Sequence, residues 1–157
     1  MHNRRMFLLG AAGTAAAVTL AACGGEGAGS SGPDPDAEPS DLTVGVVMPT
    51  QTYERWVSDG NNIKAGLEEK GYTVDMQYAD DDIPTQQQQL DQMITQEVDA
   101  LIIASIDGSA LSAQLEAATA AGIPTIAYDR LLTDSENVDF YVTFDNYEVG
   151  VNQANSL

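Results

Sequence analysis

Residues 124–146 read PTIAYDRLLTDSENVDFYVTFDN and contain a short apolar stretch, Pro124 to Tyr128, that ends in an acid and a base. The stretch predicts a buried strand, and Asp129 and Arg130 stand where it gives way to a loop. In an open parallel sheet, ligands bind at that end of the strands. Because Asp accepts and Arg donates hydrogen bonds, the pair can hold neighbouring hydroxyls of a neutral polyol. The alternative is a local ion pair on the surface.

The rest of the chain alternates apolar strand patterns with helical ones. The predicted strands are Leu42–Met48, Thr73–Tyr78, Ala100–Ala104, Pro124–Tyr128 and Asp139–Thr143. The predicted helices are Glu54–Lys70, Thr85–Gln96 and a third that Ser109 caps and that runs to Ala121, followed by an uncapped helical pattern from Tyr147 to Leu157. This order predicts an α/β fold with a doubly wound parallel sheet.

Right-handed crossovers place all strand-to-helix loops of such a sheet on one edge. That edge collects residues 49–55, 80–82, 105–108 and 129–130. The adjacent acids Asp80 to Asp82 lack the spacing of a calcium loop, so we expect them to cap the next helix. Gln86 to Gln89 is predicted to be a solvated helix face.

The N-terminus has the form of an export signal. Arg4 and Arg5 precede an apolar run to Ala22, so residues 1–22 are predicted to be a signal peptide; Sec and twin-arginine routes both stay open. The end of the run, Leu-Ala-Ala-Cys, resembles the lipobox of bacterial lipoproteins, so we expect Cys23 to be acylated and to anchor the protein on the outer face of a membrane. Residues 23–41, rich in Gly, Ser, Pro and acids, are then predicted to be a disordered tether.

The composition excludes several classes of function. All 24 acidic residues follow Cys23, where four of the six basic residues remain, so the mature chain carries a formal charge of −20. Nucleic-acid binding needs the opposite sign. The one histidine, His2, lies in the signal, and the one cysteine is expected to be acylated, so neither serves catalysis or a metal site.

Seven motifs follow one another between residues 42 and 154: VGVVMPT (44–50), ERW (54–56), DGNN (59–62), YADDDIP (78–84), IASIDG (103–108), YDR (128–130) and FDN (144–146). Together they resemble the xylose-binding and multiple-sugar-binding branch of the periplasmic binding proteins. Similar proteins are two-lobed, flavodoxin-like receptors that close on one sugar and present it to the permease of an ABC importer. The resemblance implies that residues 42–157 form the N-terminal lobe of a type I receptor, truncated at the crossover, with the second lobe absent from this chain.

The resemblance also implies the site residues. Arg55 and Trp56 stand where the family places a polar contact and an aromatic platform, and Asp129 and Arg130 match its ligand-holding pair. Asp107, in the third loop, is expected to face the cleft. The expected ligand is a monosaccharide of the xylose, glucose or galactose type, and the expected partners are a permease and the membrane. No cofactor, metal or nucleic acid is expected, and the protein is expected to be monomeric.

The sequence is also compatible with two other functions. A lipoprotein of the same fold can report sugar to a sensor kinase or chemoreceptor instead of delivering it. An exported carbohydrate-processing enzyme would need two carboxylates on either side of the scissile bond. Because members of the family are considerably longer, we expect this chain to be a fragment that binds sugar weakly or not at all on its own.

Overall fold

The computed structural model describes residues 36–157. The predicted signal peptide, the predicted acylation site Cys23 and the predicted tether as far as residue 35 lie outside the described residues. Pro39–Asp41 forms a single 3-10 turn, so residues just before Leu42, the predicted start of the folded part, also have regular structure. No helix in the described part of the chain is long and apolar enough to span a membrane.

Five parallel strands form one sheet in the order β2-β1-β3-β4-β5. The strands are β1 (Thr43–Met48), β2 (Thr73–Tyr78), β3 (Ala100–Ile103), β4 (Thr125–Tyr128) and β5 (Phe140–Val142). The helices are α1 (Glu54–Glu69), α2 (Ile83–Thr95), α3 (Ser112–Ala120) and α4 (Asn146–Asn155). The order is the flavodoxin-like one, with its switch point between β1 and β3, and it confirms the predicted fold class.

The helices cover both faces of the sheet, as a doubly wound fold requires. On one face, α2 and α3 pack through Leu90, Met93 and Leu115 against Val47 and Ile103. On the other face, α1 packs against the sheet through Trp56, Ile63 and Leu67. The central strands β1 and β3 are near-continuous apolar runs because both of their faces are covered, whereas all three residues of the edge strand β5 are exposed.

Two local predictions in the helices were wrong. Ser109 does not cap α3: its amide and hydroxyl both donate to the Asp107 carboxylate in a turn, and the helix begins three residues later, at Ser112. Gln86 to Gln89 is not a solvated face, because Gln86 is fully buried and Gln89 donates to the carbonyl of Tyr78. The expected cap of α2 is confirmed, since the Asp82 side chain accepts from the Thr85 amide.

Gly45 in β1 lies against one side chain of α2 and one of β3, and together they leave no room for a larger residue at this position. A Cβ there would stand 2.8 Å from Met93 Sδ and 3.0 Å from a Leu101 methyl. We expect Gly45→Ala to lower the free energy of unfolding by about 1–3 kcal/mol, measured by urea denaturation. Gly66→Ala is the control, because a Cβ at Gly66 meets nothing within 4 Å and α1 gains about 0.5–1 kcal/mol of helix propensity. Equal stability of the Gly45 variant and the parent would show that the core is loose here.

Candidate functional site

Asp129 follows β4 in a left-handed backbone conformation, with φ of +61°. Strand β5 holds it there: the Asp129 amide donates to the Val142 carbonyl at 2.7 Å, and the Asp129 carbonyl accepts from Tyr141 Oη at 3.0 Å and Thr143 Oγ1 at 3.3 Å. Aspartate tolerates this conformation better than most residues. A non-glycine residue kept in it by surrounding contacts is typical of a functional site.

The Asp129 carboxylate pairs with Arg55 of α1, 74 positions earlier in the chain. The expected alternative, a local ion pair between Asp129 and Arg130, is therefore wrong: none of the salt bridges found in residues 36–157 joins these two. Arg55 also lies 3.5 Å from Asp59 through Nε. The hydrogen bond that Arg55 donates to the Asp129 carboxylate is the main cause that raises the pKa of Arg55, which keeps the guanidinium charged.

Arg130 connects the ends of two strands. Its Nη1 donates to the carbonyls of Ser105 at 2.8 Å and Ile106 at 3.3 Å, in the loop after β3. Its guanidinium lies 5.0 Å from the ring centroid of Trp56. The loops after β3 and β4 were predicted to lie at the same edge of the sheet, and the Arg130 side chain joins them there.

Trp56 is 4% exposed and packs in the core with Val44, Met48 and Ala104. Two guanidinium groups overlie its ring, Arg55 at 4.6 Å and Arg130 at 5.0 Å from the centroid. Such stacking is a cation–π contact and fixes both arginines relative to the sheet. The structure therefore places Trp56 beneath the two arginines, and its predicted role as an open platform for a sugar stays a prediction.

Asp107 is the one predicted site residue whose side chain is not joined to the others by a contact among the described residues. Its Oδ1 accepts from the amide and the hydroxyl of Ser109, both at 2.8 Å, and the backbone bond is the main cause that lowers its pKa. The carboxylate is exposed at the same edge of the sheet. Its neighbour Ile106 links this loop to Arg130.

Three side chains at the site were missed by reasoning from the sequence. Phe144 lies 5.4 Å from the Arg55 guanidinium and is 52% exposed. Tyr128 is half-buried beside Asp59; burial mainly raises its pKa, and the Asp59 carboxylate adds to the effect. Gln86 holds the loop after β3. The sequence did contain a signal that Gln86 is buried, because positions 86, 90 and 93 share one face of a helix.

The Arg55–Asp129 pair can be measured by a double-mutant cycle. Since Arg55 is 48% exposed, we expect Arg55→Ala and Asp129→Ala to be coupled by about 0.5–1 kcal/mol in urea denaturation, and by less in concentrated salt. The exposed Lys64–Glu68 pair of α1 provides the control, with an expected coupling of about 0.3 kcal/mol. Independent, additive effects of the two substitutions at Arg55 and Asp129 would contradict the pairing.

The family described as periplasmic binding protein domain matches residues 44–157, which is most of the chain and the whole of the sheet after its first residue. The chain belongs to the periplasmic binding protein family. In open α/β sheets ligands bind at the carboxyl edge of the strands, which in this chain carries Arg55, Asp129 and Arg130.

Named relatives agree with this assignment. The multiple sugar-binding periplasmic receptor ChvE of Rhizobium radiobacter is 55% identical over 115 residues, which are 73% of this chain and 32% of that protein. The D-xylose-binding periplasmic protein of Escherichia coli is 35% identical over 121 residues, 77% of this chain and 36% of that protein. The chain therefore spans about a third of the length of the curated relatives it matches.

A solved structure shows the same fold with a sugar bound. The ABC transporter solute-binding protein of Clostridium phytofermentans, crystallised with β-D-glucose, superposes with a TM-score of 0.71 at 46% identity. The match covers 73% of this chain and 35% of that protein. The resemblance inferred from the motifs is confirmed by these matches.

Proposed function

We propose that this chain is the N-terminal ligand-binding part of a receptor that binds a neutral monosaccharide and delivers it to the permease of an ABC importer. The observation that carries the proposal is the cluster of Arg55, Asp129 and Arg130 at the carboxyl edge of the sheet. With Asp59 included, its two guanidinium groups and two carboxylates cancel in charge. Such a cluster offers strong donors and acceptors without favouring a charged ligand.

The ligand class follows from that balance of charge. Sugar hydroxyls both donate and accept, and hydrogen bonds to charged groups contribute roughly 1.5–3 kcal/mol each. The relatives named above are described as binding xylose, multiple sugars and glucose. These descriptions support a pentose or hexose as the ligand of this chain, held by Asp129, Arg130 and Arg55 over Trp56, with Asp107 at the rim.

One lobe offers too few contacts for tight binding. A micromolar site needs about −8 kcal/mol net, after association and ordering costs of several kcal/mol have been met. We therefore propose that a second lobe closes over the sugar, and that residues 24–157 alone bind it weakly or not at all. Micromolar binding by residues 24–157 would overturn this part of the proposal.

The location follows from the family and from the N-terminus. The periplasmic relatives indicate export to the periplasm or cell envelope. We further propose that Cys23 carries the lipid that anchors the mature protein, as a monomer, to the outer face of the membrane. Mass spectrometry of the N-terminal peptide should then find acyl chains on Cys23, and Cys23→Ser should release the protein into the soluble fraction. An unmodified Cys23 in membrane-bound protein would refute the anchor.

Calorimetric titration tests the ligand class. The protein to use is the full-length mature protein, meaning the complete gene product without its signal and with Cys23 replaced by Ser. We expect micromolar affinity for one of glucose, xylose or galactose, and affinity at least roughly 100-fold weaker for the corresponding sugar phosphate, whose dianion would lose its hydration in a cluster with no net positive charge to compensate. Preference for the phosphate would contradict a site of cancelled charge.

A further inference from the structure

Gln86 is a buried polar side chain outside the cluster of charged residues. It lies in the first turns of α2 and is fully buried. Its Nε2 donates to the carbonyl of Ala104 at 3.1 Å, and its Oε1 accepts from the amide of Ile106 at 2.9 Å. Both polar ends of the side chain are therefore used on one short segment of backbone.

The bonds compensate for the end of the sheet at that segment. Strand β3 ends at Ile103, although the next amide, that of Ala104, still donates to Val47 at 2.9 Å. The Ala104 carbonyl and the Ile106 amide lie beyond the ladder, and buried backbone groups need partners. A carboxamide has a donor and an acceptor like those of a peptide group, so Gln86 takes the place of a neighbouring strand.

The same segment is the support of Arg130. While the Ile106 amide is held by Gln86, the carbonyls of Ser105 and Ile106 accept from Arg130 Nη1. Farther along the loop, Gln87 Nε2 donates to the Ala110 carbonyl at 2.7 Å. Helix α2 thus holds the loop after β3 through Gln86 and Gln87, and Arg130 donates its hydrogen bonds to the same loop.

We propose that Gln86 is a positioning residue of the sugar site: by holding Ala104 and Ile106 it sets the carbonyls on which the Arg130 guanidinium is oriented. This inference rests on the proposed sugar-binding function. The side chain touches no ligand in this scheme and acts only through Arg130.

Gln86→Glu tests the proposal because its two protonation states differ in what they can bond. A protonated Glu can donate to Ala104 and accept from Ile106, as Gln does, whereas an ionised Glu has no donor for the Ala104 carbonyl. Burial of the side chain favours the protonated form of the Glu. The positive charge of Arg130, which is bonded to the neighbouring carbonyls, favours the ionised form. The nearby Asp107 carboxylate is exposed, so solvent screens its effect. We expect the sugar affinity of the variant to fall roughly tenfold or more at pH 8 and to return to within roughly threefold of the parent at pH 5.

Two further variants separate positioning from stability. Gln86→Met removes both bonds at every pH, so its affinity should stay low at pH 5 as well. Gln88→Glu places the same charge on the exposed side of α2 and should bind like the parent at both pH values. All affinities are measured below the melting temperature of each variant. Parent-like affinity of Gln86→Met, or a loss in Gln86→Glu that does not recover at pH 5, would overturn the proposal.

A second readout keeps this test separate from the proposed function. Hydrogen exchange of the Ile106 amide, followed by nuclear magnetic resonance, should show protection in the parent that Gln86→Met loses, because its thioether is at most a weak acceptor for this amide. If the parent binds no sugar, the proposed function fails and the positioning role in sugar binding fails with it, while Ile106 protection still reports whether Gln86 holds the loop. If the parent binds sugar and Ile106 protection is unchanged in the variant, only the positioning role fails.

Discussion

Arg130→Ala is expected to weaken sugar binding by the full-length mature protein at least roughly 100-fold. The substitution removes the donor that joins the loops after β3 and β4 and the guanidinium that lies over Trp56. Two hydrogen bonds from the charged guanidinium to sugar hydroxyls would contribute roughly 3 kcal/mol or more to binding, so their loss should lower the affinity by at least roughly 100-fold. Calorimetric titration with the best-bound sugar measures the loss.

Two control variants show that the effect belongs to the guanidinium. Lys64→Ala removes one positive charge from an exposed pair on α1 and should leave the affinity unchanged. Arg130→Lys keeps the charge but lacks the planar fork, so we expect it to recover only a small part of the affinity. An Arg130→Ala variant that binds within threefold of the parent would show that this residue does not hold the ligand.

Trp56→Ala is expected to cause the largest loss of stability. Its indole is 4% exposed in the core between α1 and the sheet, and removing a buried aromatic ring costs about 3–5 kcal/mol. Because whole domains are stable by about 5–15 kcal/mol, the variant should be close to unfolding at room temperature. Urea denaturation followed by circular dichroism gives the difference.

The matched control for Trp56 is an aromatic residue on the surface. Tyr147 is 77% exposed on α4, and Tyr147→Ala should change the free energy of unfolding by at most about 0.5 kcal/mol. If Trp56→Ala costs less than about 1 kcal/mol but weakens sugar binding, the indole is a ligand platform with little part in the core. The opposite pattern would make it a core residue that acts on ligand only through Arg55 and Arg130.

The fold could be predicted from the sequence because its signals are local and repeated. The apolar run Thr43–Met48 and the alternating pattern Thr73–Tyr78 each precede a helical pattern, and the chirality of the crossovers then fixes which edge carries the loops. The start of α3 was misplaced because Ser109 has the chemistry of a cap. Its hydroxyl and amide are instead used by Asp107 in the preceding turn, a local competitor that sequence spacing does not separate from a true cap.

The site was predicted as a set of residues but not as a set of bonds. Asp129 and Arg130 are adjacent in sequence, which favoured pairing them with each other. The left-handed turn at Asp129 instead directs its carboxylate to Arg55, while Arg130 reaches the loop after β3. The Arg55–Asp129 contact joins residues 74 positions apart and depends on how the whole sheet is assembled, so no local sequence pattern predicts it. Gln86 was missed for a related reason: its partners are backbone groups that carry no sequence signal.

The central claim is that the Arg55, Asp129 and Arg130 cluster holds a neutral monosaccharide. Thermal melting of the full-length mature protein against a panel of pentoses and hexoses tests it most directly. For a micromolar site, 1 mM of the correct sugar should stabilise the protein by about 4 kcal/mol and raise the melting temperature by several degrees, and Arg130→Ala should keep at most about a third of that stabilisation. The absence of a shift with every sugar of the panel would contradict the claim and leave the lobe with the fold of a sugar receptor but a different ligand.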